Sequence, residues 1–171
     1  MRWPSKPRSM QVMHKPTYLL SVLLMSASAA FAAPVVLEQP LPTLTLQDQH
    51  TQPWGVKADT RLVVFAAGRK PSNVVMEVLG AQAKGFLESR QAVYVADMSR
   101  MPGFVTRTFA LPALRDQPFA VGVNLDDKQL ADWPRQEDAI TLIRLEGGRV
   151  SSIAYVRTAA ELKSALGIAA P

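Results

Sequence analysis

Hydrophobic positions follow two patterns between residues 44 and 123, and each pattern predicts a different kind of element. Residues 61–67, 92–96 and 119–123 are short, almost continuous apolar runs, which are typical of strands covered on both faces of a sheet. Earlier in the chain, Leu44 and Leu46 alternate with polar residues and predict a half-buried strand. The sheet is therefore expected to have a buried centre and a partly solvated strand beside it.

Apolar residues at helical spacing separate these strands. A helix is predicted over 71–89, where Ser72 or Asn73 is expected to cap the first free amides. A second, shorter helix is predicted over 102–110 and ends or kinks before Pro112, because proline cannot continue the helical hydrogen-bond ladder. Each helix connects two buried strands, so these strands are expected to be parallel.

The last third of the chain predicts a hairpin and a final helix. Two apolar strands, 141–145 and 150–156, are joined by Glu146-Gly-Gly148, which is a hairpin signal. Thr158 and Glu161 have the spacing of a capping box that opens a helix. The whole order predicts one α/β domain with a mixed central sheet and helices on both faces.

The first 32 residues have the composition of a secretory signal peptide. A basic leader precedes an apolar run at 18–25, and Ala30-Phe-Ala32 offers small residues for cleavage. The apolar run is too short to span a bilayer. We therefore expect export, to the periplasm or out of the cell, of a single domain that comprises residues 33–171. Met13 precedes an equally good signal, so both Met1 and Met13 stay open as the start.

Removal of the leader would change the charge of the protein. The full chain has 19 Lys and Arg against 14 Asp and Glu, a net charge of +5. Four of the basic residues and none of the acidic ones lie in the leader, which leaves 15 against 14 and a net charge of +1. Nucleic-acid binding requires a clustered excess of positive charge. We therefore predict no nucleic-acid partner. The short apolar run at 18–25 likewise predicts no membrane span.

The chain contains no cysteine. Since the thiolate is the nucleophile of thiol–disulfide exchange, the protein cannot perform that reaction. His50 is the one histidine after the leader, so a zinc site would lack ligands. The sequence has no glycine-rich nucleotide fingerprint and no haem motif. We therefore predict no cofactor and no metal site.

The order of elements resembles the thioredoxin-like superfamily, in the layout of its TlpA and peroxiredoxin-like branch. Three junctions carry this resemblance: Val64-Phe65 before a turn and a helix, the hairpin at 141–150, and the helix start at 158–162. Residues 66–69 and 138–141 are most similar to YtfJ-type periplasmic proteins. The resemblance implies a thioredoxin-like three-layer sandwich.

The redox apparatus of that superfamily is missing at the matching positions. Its Cys-x-x-Cys falls on Lys70-Pro71-Ser72-Asn73, and the cis-proline that faces this motif falls on Ile140. We expect a trans bond at Ile140, because a non-proline cis bond costs about 3–4 kcal/mol. The resemblance thus implies a redox-inactive protein and not a thiol-disulfide oxidoreductase. In active relatives this edge of the sheet holds an extended substrate segment, and that recognition does not itself require thiols.

We predict a ligand-binding or partner-binding surface at this degenerate active-site edge. Four of its residues, Arg69, Lys70, Ser72 and Asn73, lie at the N-terminus of the first predicted helix, whose free amides and dipole favour an anion. The ligand is expected to be an envelope protein or peptide, or a small anionic molecule. The predicted site residues are Arg69, Lys70, Ser72, Asn73, Asp138 and Ile140.

Two other functions stay open. One is an enzyme of non-thiol chemistry, anion-handling or peroxide-related, that uses Arg69, Lys70 and Ser72. The other is a subunit of an envelope complex that has no site of its own. We do not expect an enzyme, because Ser72 would need a base and His50 is predicted to lie in a remote turn.

Further residues near this edge have two interpretations each. Asp97 closes a buried strand, where it either caps the next helix or faces the degenerate site. Four large apolar residues are expected to form core packing of the second helix, in preference to a ligand groove. These residues are Met98, Met101, Phe104 and Phe109.

We expect the mature protein to begin at Ala33, because signal peptidase cleaves after small residues such as Ala30 and Ala32. The intact mass of protein extracted from the cell envelope checks this. A mass that still includes the segment from Arg2 to Lys15 would contradict export.

Overall fold

The computed structural model describes residues 34–169, so the predicted signal peptide, residues 1–32, lies outside the described residues. A seven-stranded sheet has the order β2-β1-β5-β4-β3-β6-β7. The central strands β3, β4 and β5 are parallel and the outer pairs are antiparallel, which confirms the mixed sheet. The strands are β1 Leu46–Asp48, β2 Pro53–Trp54, β3 Leu62–Ala67, β4 Ala92–Asp97, β5 Val121–Asn124, β6 Ile140–Glu146 and β7 Arg149–Val156.

The helix predicted over 71–89 is two helices in the structure. The first, α1, ends at Gly80, and the second begins after Gly85, which has a left-handed backbone with φ 85°. Glycine lowers helix propensity, and a residue in the left-handed conformation breaks the helical ladder. The helices are α1 Arg69–Gly80, α2 Phe86–Ser89, α3 Gly103–Val105, α4 Leu111–Arg115 and α5 Ala159–Ala165.

The sequence predicted that the helical segment after β4 ends or kinks before Pro112, but the segment continues through this residue. A π-helical turn, Thr106–Ala110, connects α3 directly to α4, and Pro112 lies in the first turn of α4. The wide turn relieves the clash that a proline ring makes with the preceding helical turn. Phe104 and Phe109, which we expected to face inward, are 68% and 61% exposed.

Alternate side chains of β3 point to opposite faces of the sheet and belong to two separate hydrophobic clusters. Val64 and Ala66 pack on the side of the helices. Val63 and Phe65 pack on the other side, against Trp133. The buried aliphatic side chains that the helices contribute all lie in the first cluster: Val75, Val78, Leu79, Leu87, Leu114 and Leu162.

The second face of the sheet departs from the expectation of helices on both faces. It is covered by extended chain that includes Val35 and Leu44, and by the segment 125–139, which contributes Leu130 and Trp133. The two parallel crossovers lead from β3 to β4 and from β4 to β5, so they move in the same direction across the sheet. Since such crossovers are right-handed, both place their helices on one face.

The hairpin and the capping box are confirmed. Strands β6 and β7 pair around Gly147 and Gly148, both with positive φ. The Thr158 hydroxyl accepts the Glu161 N–H at 3.2 Å, and the Glu161 carboxylate accepts the Thr158 N–H at 3.1 Å. Backbone hydrogen bonds from Arg157 and Thr158 lower the pKa of Glu161.

The chain just before β1 extends the sheet edge at β7. The Glu38 N–H donates to the Val150 carbonyl at 2.8 Å, and the Val150 N–H donates to the Gln39 carbonyl at 2.9 Å. Pro40 forms an isolated antiparallel bridge with Arg149. The start of the longest edge strand is therefore covered by residues 38–40. Over residues 34–169, no helix is long and apolar enough to cross a bilayer.

Substitution Gly122→Ala is expected to lower the free energy of unfolding by about 1–3 kcal/mol, as overpacking does. A β-carbon at Gly122 would lie 2.4 Å from the Trp54 ring, which crosses β5 at that position. Urea unfolding of the purified protein measures this. The matched control is Gly103→Ala, whose β-carbon would meet only the Arg107 guanidinium at 3.5 Å. An equal loss in both variants would contradict the clash.

Candidate functional site

The turn between β3 and α1 is set by Gly68, which has φ 99° and donates its N–H to the Asp97 carbonyl at 3.2 Å. Helix α1 begins at Arg69, two residues before the predicted start. No side chain caps it: the Ser72 hydroxyl donates to the Gly68 carbonyl at 2.7 Å, and the first turn contains no acidic residue. The prediction that Ser72 or Asn73 caps this helix is therefore wrong, and its N-terminal amides are left to solvent or a ligand.

The structure brings two of the predicted site residues together in an exposed ion pair. Lys70 Nζ lies 2.5 Å from Asp138 Oδ2, and the two side chains are 72% and 46% exposed. A pair this exposed contributes about 0–1 kcal/mol to stability. The positive charge of Lys70 is thus already partnered across 68 residues of sequence.

Ile140, also predicted for the site, is fully buried in the core. It begins β6, where it pairs with Ala66 of β3. The peptide bonds of residues 34–169 are all trans. Its side chain therefore does not reach a ligand at the surface.

The remaining predicted residues Arg69, Ser72 and Asn73 lie at the polar end of a largely apolar groove of about 520 Å³. The groove runs between α1 and the helical segment 103–115. Met76, Met98 and Met101 line it, together with Phe109 of the π-helical turn. Met98 is buried in the first hydrophobic cluster and Met101 packs against it, as predicted, and both also line the groove. Phe109, which was predicted to pack in the same way, is 61% exposed.

Tyr94 of β4 forms part of the wall of the groove and is fully buried. Its hydroxyl has no hydrogen-bond partner among the described residues. The nearby Ser72 hydroxyl lowers the pKa of Tyr94 slightly, but burial dominates and raises it to about 12. The Ser72 proton itself is donated to Gly68. Tyr94 is thus a neutral phenol that can donate to an acceptor. Its place in a buried strand was the single feature of Tyr94 that the sequence predicted.

A second polar cluster lies at the carboxyl ends of the parallel strands. Asp97 Oδ1 accepts from the Ser99 hydroxyl at 2.7 Å and from Asn124 Nδ2 at 3.0 Å, and its Oδ2 lies 3.0 Å from Arg135 Nη1. Arg135 also donates to the Leu130 carbonyl and stacks 5.4 Å from the centre of the Phe65 ring. Asp97 does not cap the next helix, as one interpretation had it, because α3 begins at Gly103 without a side-chain cap. It accepts the Ser99 N–H at 3.1 Å in the turn after β4 and holds an arginine that the sequence analysis missed.

The other chemical groups of the described chain do not join the groove. His50 is exposed in the turn after β1, and its neighbour Gln49 bonds to the Phe119 carbonyl at 2.7 Å, before the start of β5. That edge of the sheet is opposite to the one from which α1 begins. Between residues 34 and 169, the structure has no cluster of three His, Cys, Asp or Glu side chains able to hold a metal ion.

The fold is thioredoxin-like, as the comparison with solved structures shows. It is similar to a putative protein disulfide isomerase from Bacteroides thetaiotaomicron, with a TM-score of 0.50 and 11% identity over 80% of this chain and 89% of the other. It is also similar to a putative thiol:disulfide interchange protein DsbE from Chlorobium tepidum, with a TM-score of 0.53 and 14% identity over 78% and 94%. At these identities the similarity establishes the fold alone. No protein-family model and no curated protein matches the chain.

The predicted thioredoxin-like fold is therefore confirmed. A chain without cysteine cannot form the mixed disulfide through which thiol–disulfide exchange proceeds. The protein therefore has a thioredoxin-like fold and is inactive in thiol–disulfide exchange.

Substitution Arg135→Met is expected to lower the free energy of unfolding by about 3 kcal/mol or more, because it leaves the buried Asp97 carboxylate without its counter-ion. Lys70→Met, which breaks the exposed pair with Asp138, should cost less than about 1 kcal/mol. Chemical denaturation of both variants measures the difference. Adding Asp97→Asn to Arg135→Met should restore part of the loss, and equal losses in the two single variants would show that burial of the pair has no effect.

Proposed function

We propose that this chain is an exported, redox-inactive thioredoxin-fold protein that binds a small, largely apolar ligand in the groove between α1 and the segment 103–115. The observation that carries the proposal is the Tyr94 hydroxyl, which is fully buried in the wall of the groove and has no partner in the described protein. A buried polar group left unsatisfied costs about 1–3 kcal/mol. A ligand or water that accepts this proton would recover that loss.

The size and lining of the groove support the same proposal. A volume of about 520 Å³ falls in the range of small-molecule sites. Methionine side chains are unbranched and polarisable, so Met76, Met98 and Met101 can adapt to an irregular apolar ligand. The groove therefore offers an adaptable apolar wall with few polar groups at one end.

Export is part of the proposal and is supported by the predicted signal peptide. The net charge of +1 on residues 33–171 and the absence of cysteine suit a protein that neither binds nucleic acid nor uses thiols. We infer that the ligand is met in the cell envelope.

A partner protein is the second candidate, and one observation favours it. Phe104 and Phe109 are both exposed and pack edge to face with ring centres 6.0 Å apart at the mouth of the groove. A partner segment could cover this aromatic pair and enter the groove. The non-thiol enzyme gains no such support, because Lys70 is paired with Asp138 and the Ser72 hydroxyl is donated to a carbonyl.

The neutral fluorophore N-phenyl-1-naphthylamine, whose emission rises in apolar surroundings, tests the groove. We expect saturable binding with one site per chain. Ala113→Trp, which fills the groove from an exposed lining position, should weaken it by about tenfold or more, equivalent to about 1.4 kcal/mol.

Ala131→Trp is the control, because Ala131 is equally exposed but lies in the segment 125–139 on the other face of the sheet. Both variants should keep the far-ultraviolet circular dichroism of the parent. No saturable binding, or equal weakening in the two variants, would refute the groove as a ligand site.

A further inference from the structure

We propose that the ligand of this groove is a small amphipathic anion, with a carboxylate or similar acidic group at the Arg69 end and an aliphatic or aromatic body against the methionines. This inference rests on the proposed function and adds the chemical class of the ligand. It joins three features of one groove: an unpartnered cation, an uncapped helix N-terminus and an unsatisfied buried phenol.

The first feature is the cation. Arg69 is exposed, lines the groove and forms no ion pair within residues 34–169. The two ion pairs of the described chain use Lys70 and Arg135, each with its own aspartate. Arg69 is thus left to pair with an acidic group from outside, and its planar guanidinium matches a carboxylate in a two-pronged geometry.

The second feature is the helix that Arg69 begins. Helix α1 has 12 residues, no side-chain cap and no acidic residue in its first turn. Free amides and the helix dipole at such an end favour an anion. The same end carries Asn73, which also lines the groove and whose side-chain amide can donate to an acidic group.

The third feature, the Tyr94 hydroxyl, points to a ligand independently of the helix. It is fully buried in the groove wall with no partner. It belongs to the polar end, because the Ser72 hydroxyl lies close enough to act on its pKa. Since burial raises that pKa to about 12, Tyr94 stays a neutral donor, and movement of the flexible methionines would let a ligand oxygen reach it.

These features together exclude the other simple ligand classes. A cation would meet Arg69 and the positive end of the helix dipole, so it would be repelled. A hydrocarbon would leave both Arg69 and Tyr94 unpaired. A bare inorganic anion would leave the methionine wall and Phe109 without apolar contact. A ligand with one acidic end and one apolar body satisfies both ends of the groove.

Two fluorophores that differ only in a sulfonate test the inference. We expect 8-anilinonaphthalene-1-sulfonate to bind the folded wild-type protein more tightly than neutral N-phenyl-1-naphthylamine. Arg69→Met should weaken binding of the sulfonate probe by about tenfold, which corresponds to about 1.4 kcal/mol. The same substitution should change the affinity for the neutral probe by less than about twofold. Lys84→Met is the matched control, because it removes the same charge at an exposed position outside the groove.

Displacement of the neutral probe then separates the two kinds of anion. Decanoate represents an acyl chain and 1-naphthoate an aryl acid, each compared with the matching alcohol. Stronger displacement of the probe by either acid than by its alcohol supports the inference. The acid that displaces the probe more strongly shows whether the apolar body of the ligand is an acyl chain or an aryl ring. Tyr94→Phe should weaken binding of the acids without lowering the melting temperature, because it removes a hydroxyl that has no hydrogen-bond partner within residues 34–169.

The outcomes distinguish this inference from the proposed function. Suppose that the neutral probe binds and Ala113→Trp blocks its binding, but Arg69→Met affects both probes equally or affects neither. The groove is then a ligand site, and the inference that its ligand is an anion is wrong. If neither probe binds the folded wild-type protein, both proposals fail.

Discussion

The arrangement of the chain at the carboxyl ends of the parallel strands depends on the hydrogen bonds and the ion pair of Asp97. The backbone carbonyl of Asp97 accepts the Gly68 N–H and so fixes the turn into α1. Its side chain holds Ser99 and Asn124 at the ends of the parallel strands, and Arg135 from the segment on the other face. A charge this buried is stable only with such partners. Asp97 thus connects the turn into α1, on one face of the sheet, with the segment 125–139 on the other face.

Six of the seven strands of the described sheet were predictable from the sequence because their signal is local, whereas the two-residue strand β2 was not predicted. Continuous apolar runs marked β3, β4 and β5, and the Gly147-Gly148 turn marked the hairpin. The helices were less predictable, because their limits depend on particular residues. Gly80 and Gly85 divide one predicted helix, and a π-helical turn lets the next pass through Pro112. Periodicity cannot show a change in helical pitch.

The candidate site was predictable only on one side. Arg69, Ser72 and Asn73 were found by their position at the start of a helix, which is sequence information. The opposite wall includes Met98, Met101 and Phe109, whose pattern also fits core packing. Arg135 was missed because its partner Asp97 lies 38 residues away and only the folded segment brings them together. Ion pairs between distant residues leave no trace in local patterns, and an unsatisfied hydroxyl such as that of Tyr94 becomes visible only when its surroundings are known.

The covering of β7 by residues 38–40 reduces the length of this edge that is open to pairing with another chain. An unpaired edge strand is a template for pairing with another chain. Here the amino-terminal part of the domain itself occupies the start of that edge, only a few residues after the predicted cleavage point at Ala33. Folding of the sheet and protection of its edge become parts of the same event.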